Sequence, residues 1–223
     1  MPPVNYRYYA KETAQNSPGY YDAISSASAQ VTNFKSEMDF TATKAWDGGT
    51  QENLPGVTLT LKRYQLQGSI PAQPSPIGTV ETIGSVTLPD AGGSWSATWY
   101  GLDRLTGPPQ DNVVPTRWIY FVEEVVDSAS PYAALYPTNS IAYATDNQSA
   151  VITNLYKSPL IAVTAAKTWV GGPRVNSEVT LQLYQDGNIY GDSVTTNGLS
   201  YTWNVPQTDQ SGNDHSYSVV ELG

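Results

Sequence analysis

Short runs in which apolar and polar residues alternate dominate the chain, and this pattern predicts β-strands rather than helices. In "FTATKAW" (40–46), Phe40, Ala42, Lys44 and Trp46 share one face of a strand. In "VTAAKTW" (163–169), Val163, Ala165, Lys167 and Trp169 share the equivalent face. Reading onward from the first run, strands are predicted at 38–46, 57–65, 84–88, 94–100, 116–126, 139–145 and 149–156. The stretches "GSIPAQPSPIG" (68–78) and "LTGPPQDNVVP" (105–115) carry too many Pro and Gly for strands and read as surface loops. No long stretch has helical periodicity. Several short strands with turn-rich connections point to an all-β chain of immunoglobulin-like two-sheet sandwiches.

The alternation repeats. "TATKAWDGG" (41–49) matches "TAAKTWVGG" (164–172), and "PGVTLTLKRYQ" (55–65) matches "NSEVTLQLYQDG" (176–187). "GGSWSATWYGL" (92–102) matches "NGLSYTWNVP" (197–206), and "YFVEEV" (120–125) matches "YSVVEL" (217–222). Four matches in one order make 38–156 a complete unit and 160–223 a second copy that stops before its last strand. "AQVTNFKSEMDFTATKAW" (29–46) is similar to "AVITNLYKSPLIAVTAAKTW" (150–169), so 1–36 reads as the tail of a preceding copy. The chain is expected to be a piece of a longer array.

Parity isolates three polar groups on faces that are otherwise apolar. Lys44 and Lys167 follow apolar residues on the first strand of each copy. Glu124 follows Trp118, Tyr120 and Val122; Glu221 follows Tyr217 and Val219; Glu12 follows Tyr8 and Ala10. Glu123, next to Glu124, has the outward parity. Asn154 follows Ala150 and Ile152, and Asn33 follows Ala29 and Val31. Asn is disfavoured in strands, so its recurrence at one point of a terminal strand suggests a role. A lysine in an apolar core is driven toward its neutral amine, which is a nucleophile. A carboxyl group kept protonated in such a core can polarise an amide carbonyl and shuttle a proton. Attack of the amine on the Asn amide carbon expels ammonia and leaves a Lys–Asn isopeptide bond. The fold holds both reactants, so proximity lowers the barrier.

Composition narrows the alternatives. The 223 residues carry a net charge of −9 and include no cysteine and one histidine, His215. Disulfides, thiolate zinc sites and clustered-His metal sites are excluded, and no cofactor or metal is expected. No basic stripe invites nucleic acid. No run is long and apolar enough for a membrane helix, and the N-terminus lacks the apolar core of a signal peptide. No paired carboxylates, His cluster or phosphate loop marks an enzyme with turnover. "NQS" (147–149) fits a glycosylation sequon, a short pattern that often arises by chance.

The K-x-W-x-G-G opening, the V-T-L-x-L-Y strand, the Y-x-V-x-E strand and the I-T-N-x-Y strand together resemble the collagen-adhesin B-type (CnaB) domain. That resemblance implies tandem stalk repeats of a Gram-positive surface adhesin or pilin, extracellular and at the cell wall. It implies a bond between Lys44 and Asn154 with Glu124 as the assisting acid. Glu12 and Asn33 are then the surviving parts of a preceding triad, and Lys167 and Glu221 parts of a following one. The implied partners are neighbouring repeats, with a host matrix protein or glycan as a further possibility.

Simpler readings stand beside this one. A strand-end lysine can snorkel, Lys44–Glu124 can be an ordinary ion pair, and Asn154 and Asn33 can be turn residues. Trp46, Trp99, Trp169 and Trp203 occupy repeat-matched positions and read as core. His215 reads as structural or exposed. A competing function is a glycan- or matrix-protein-binding module that uses loops 68–78 and 105–115.

Overall fold

The computed structural model describes residues 20–25, 31–35, 37–89, 91–107, 116–171, 178–197 and 200–223. The fold is all-β. Among the described residues fifteen strands run in order: β1 (Tyr20–Ser25), β2 (Val31–Lys35), β3 (Glu37–Asp47), β4 (Val57–Gln67), β5 (Val80–Leu88), β6 (Ser96–Asp103), β7 (Thr116–Val126), β8 (Thr138–Tyr143), β9 (Ser149–Leu155), β10 (Leu160–Ala166), β11 (Val179–Gln185), β12 (Asn188–Ile189), β13 (Val194–Thr196), β14 (Ser200–Pro206) and β15 (Tyr217–Leu222). Helix among the described residues is confined to two short 3₁₀ turns at Gln51–Asn53 and Ala133–Leu135. No described helix is long and apolar enough to cross a membrane.

The chain divides into two compact units. The first takes in residues up to 45, then 55–131 and 139–154; the second takes in 46–54, 132–138 and 155–223.

The first unit is a sandwich of a four-stranded sheet, β6-β3-β9-β8, and a three-stranded sheet, β5-β4-β7. Alternation along β3 and β9 reads directly as burial. Met38, Phe40, Ala42 and Lys44 are buried, as are Ala150, Ile152 and Asn154. Facing them, β4 contributes Val57, Leu59 and Leu61, and β7 contributes Tyr120 and Val122. Phe40 and Tyr120 meet across the two layers with ring centroids 6.3 Å apart. Each large aliphatic side chain fully buried here contributes about 1.5–3 kcal/mol. The amide of Thr41 donates to Gln148 O, and the ammonium of Lys44 reaches Ile152 O. The partner numbers rise together, so β3 and β9, first and last strands of the sandwich, run parallel.

The far side of β7 is buried too. Tyr64, Ile119 and Phe121 form a second small core, with Leu66, Ile70 and Tyr143 packed against it. Residues 68–79 lack strand structure, as the Pro and Gly content predicts, and the amide of Ser75 donates to the Tyr64 hydroxyl. Of the second predicted loop, 108–115 lie outside the described residues.

In the second unit β10 pairs with β14, while β11 pairs with β12, β13 and β15. Opposed residues match those of the first unit. Phe40, Thr41 and Ala42 oppose Trp99, Thr98 and Ala97; Val163, Thr164 and Ala165 oppose Trp203, Thr202 and Tyr201. Hydroxyls meet at the middle pair both times, Thr41 with Thr98 and Thr164 with Thr202. Segment 46–54 also belongs to this unit. Gly48 and Gly49 have φ of +85° and +76°. A Cβ on Gly49 would lie 2.2 Å from the Tyr136 hydroxyl, and one on Gly48 2.5 Å from Gln210 O, so only glycine fits at either position.

The aromatic expectations need one correction. Trp46, Trp99 and Trp203 are half-buried, but Trp169 is 43% exposed. Trp46 packs edge-on against Tyr136 at 4.7 Å, whereas Trp169 has the Lys167 ammonium 4.6 Å from its ring centroid.

Candidate functional site

Lys44, Glu124 and Asn154 come together in the first unit. Lys44 stands near the end of β3, Asn154 stands on β9 beside it, and Glu124 stands on β7 in the opposing sheet. The Lys44 and Glu124 side chains are 0% and 1% exposed, and Lys44 Nζ lies 3.6 Å from Glu124 Oε1. Lys44 therefore does not snorkel. Its ammonium donates to the carbonyls of Ala45 at 2.5 Å and Ile152 at 3.3 Å. Burial away from water pushes the Lys44 pKa from 10.5 down to about 8, against the opposing pull of Glu124. About one-tenth of Lys44 is then the free amine at pH 7.

Asn154 is the least conventional member. It lies inside β9 and is 1% exposed, so it is not a turn residue. Neither its Oδ1 nor its Nδ2 has a hydrogen-bond partner among the described residues, and Glu124 Oε1 likewise accepts no hydrogen bond there. Leaving one buried polar atom unsatisfied costs about 1–3 kcal/mol. An ion pair accounts for a buried lysine facing a buried glutamate. It does not account for a buried, unsatisfied carboxamide on the neighbouring strand. Glu123 has the outward parity and pairs with Lys62 at 2.6 Å.

The equivalent pair of the second unit is placed differently. Lys167 and Glu221 form a close ion pair, but their side chains are 26% and 40% exposed. Asn33 belongs to β2, which pairs antiparallel with β1; its side chain lies outside the described residues, as does all of Glu12.

The roles of two residues were not reached from sequence. Asn139 on β8 donates its Nδ2 to Glu124 Oε2 at 2.7 Å. An Asn in a strand was a signal, but which carboxyl it would meet depends on sheet order. Asn147, in the sequon, has a φ of +56° and is 2% exposed. Its Oδ1 accepts from the Tyr120 amide at 2.7 Å and its Nδ2 donates to the Tyr120 carbonyl at 2.8 Å. The side chain thus pairs with the backbone along the middle of β7 and is closed to a glycan. His215 pairs with Asp186, whose carboxyl the Ser216 amide and His215 hold below the usual range.

One concavity adjoins loop 68–79. Gln65, Ile77, Gly78, Thr79, Glu81 and Trp118 line a space of about 280 Å³. The Arg63 guanidinium stacks 3.9 Å from the Trp118 ring centroid, covering one aromatic face.

Comparison with solved structures gives two matches. A structure of two B repeat units (B1B2) of the collagen binding protein Cna of Staphylococcus aureus is 20% identical with a TM-score of 0.42; the match covers 92% of this chain and 50% of that one. A single B repeat unit (B1) of the same collagen binding surface protein is 18% identical with a TM-score of 0.28, covering 84% of this chain and 86% of that one. This chain thus spans about half the length of the two-repeat structure. No family model and no curated protein matches the chain.

Proposed function

We propose that the first unit is a self-crosslinking stalk repeat, in which Lys44 and Asn154 join through an isopeptide bond assisted by Glu124. The observation that carries this reading is the Asn154 carboxamide, buried without a hydrogen-bond partner on the strand beside a buried lysine. Three features fit one reaction: an amine with its pKa lowered to about 8, a buried amide on the neighbouring strand, and a carboxyl facing the amine. The neutral Lys44 Nζ attacks the Asn154 Cγ. Glu124 protonates the departing Nδ2 and takes a proton from Nζ, so ammonia leaves and the carboxyl is restored. The reaction happens once per molecule and is self-modification, without turnover.

Repetition of the unit and the sequence resemblance to CnaB domains support a place in a surface adhesin or pilus-like protein. There, covalently tied sandwiches would resist force and proteases without disulfides. Intact mass tests the reading. The chain should weigh less than its calculated mass by one ammonia, and digestion should release a branched peptide joining Lys44 to Asn154. An unmodified mass in well-folded protein would overturn it.

A second reading, a glycan-binding module, is favoured by the concavity beside Trp118. It is the weaker reading because Arg63 already covers a face of that ring. Glycan-array binding lost on deletion of residues 70–77 would support it.

A further inference from the structure

Glu124 has two oxygens in two environments. Oε1 lies 3.6 Å from Lys44 Nζ and accepts no hydrogen bond among the described residues. Oε2 accepts from Asn139 Nδ2 at 2.7 Å. The sheet order explains how this arises. β3, β9 and β8 are successive neighbours, so Lys44, Asn154 and Asn139 sit on three adjacent strands while Glu124 reaches toward them from β7. Asn139 stands on the edge strand and is itself exposed, yet its amide ends on a carboxyl that is 1% exposed.

We propose that Asn139 is a positioning residue for the cross-linking chemistry, deciding which oxygen of Glu124 carries the proton. An amide N–H donates, and in a neutral carboxyl the carbonyl oxygen accepts it better than the hydroxyl oxygen does. While it occupies Oε2, that oxygen is favoured as the carbonyl, and the proton that the reaction requires on the carboxyl is directed to Oε1, the oxygen turned toward Lys44. This proton is the one delivered to the departing Asn154 nitrogen, and Oε1 then accepts the proton from Lys44 Nζ. Without the Asn139 donor, the proton can equally sit on Oε2, on the far side from the amine. The same hydrogen bond limits rotation of the carboxyl group. The proposal rests on the cross-link reading above, and its test is built to separate the two.

The experiment follows intact mass against time after a pulse of cell-free synthesis of the full chain, for wild type and for Asn139→Ala, Asn139→Asp and Asn139→Gln. Asn139→Asp keeps the shape but removes the donor; Asn139→Gln keeps the donor on a longer arm. Wild type should lose one ammonia. Asn139→Ala and Asn139→Asp should lose it about tenfold more slowly, a penalty typical of misplaced reacting groups, and Asn139→Gln should recover part of the rate. In an Asn154→Ala background, which cannot cross-link, the Asn139 variants should share one thermal midpoint. Wild type that cross-links alongside equally fast Asn139→Ala and Asn139→Asp overturns the positioning role and leaves the cross-link standing. A slow Asn139→Ala with a lowered midpoint and no recovery in Asn139→Gln overturns it in favour of a structural role. Wild type that never loses ammonia retires both proposals.

Discussion

Lys44 and Lys167 follow the same strand pattern and face the same type of glutamate, yet one is sealed and the other half-wet. Around Lys44, Phe40 and Ala42 on the same face are 0% exposed. Around Lys167, Val163 and Ala165 are only half-buried. The difference lies in the neighbouring strand. β3 is flanked by β6 and β9, whereas β10 pairs with β14 in a two-stranded sheet among the described residues. Strand pattern puts a lysine on the inner face, but a flanking strand excludes water and brings the amide. Burial of Lys44 lowers its pKa to about 8, which favours its free-amine form over that of an ordinary lysine. Lys167, with Glu221 within reach and solvent around both, has the makings of an ordinary exposed pair.

The largest effect that can break this contrast is loss of the proposed bond in the first unit. Glu124→Ala and Asn154→Ala should both retain the full calculated mass. Closing a loop of this length stabilises by about 4–5 kcal/mol in the chain-entropy model. Denaturant unfolding of Asn154→Ala should therefore show a loss of that order against wild type. Equal stability would place the Lys44 site on a par with the Lys167 site.

A smaller effect comes from pH in Asn154→Ala, where Lys44 stays buried and unbonded. Its folded-state pKa of about 8 lies below the ordinary 10.5, so the unfolded chain holds more protons between these values. Stability should be lowest at and below about pH 8 and should rise as pH approaches 10.5, by up to about 3 kcal/mol. Urea midpoints across that range measure it, and a flat profile would mean that Lys44 is well hydrated.

The second unit should respond least. Glu221→Ala should change stability by no more than about 1 kcal/mol, as exposed pairs do. Lys167 should remain an unreacted amine, detectable by amine labelling, and concentrated protein should run as monomer on a denaturing gel. A ladder abolished by Lys167→Ala would instead show that the β1–β2 hairpin of a neighbouring molecule had filled the edge beside β10.

Much of the first unit was legible from alternation. Every strand predicted there is present, and the parity of Lys44, Glu124 and Asn154 matches their burial. β5 begins at Val80 rather than 84, because a register shift opposite Leu61 and Lys62 breaks the alternation. What escaped depends on non-local arrangement. Ile119 and Phe121 have outward parity, yet they are buried with Tyr64 in the small second core. The reach of Asn139 to Glu124 follows from β8 standing next to β9, which strand pattern alone does not reveal. Trp169 was read as core from its match to Trp46, but a matched position does not supply the Tyr136 that covers Trp46.

The parallel course of β3 and β9 has a mechanical consequence. A pull on the two ends of the sandwich enters at one end of the sheet and leaves at the other, loading the ladder between these strands in shear. If Lys44 is joined to Asn154 as proposed, tension passes from β3 to β9 through a covalent link. The 109 residues from 45 to 153 then lie outside the line of force. At about 3.4 Å per extended residue, a length of roughly 370 Å stays folded away. Such a unit would behave under load as a nearly inextensible link.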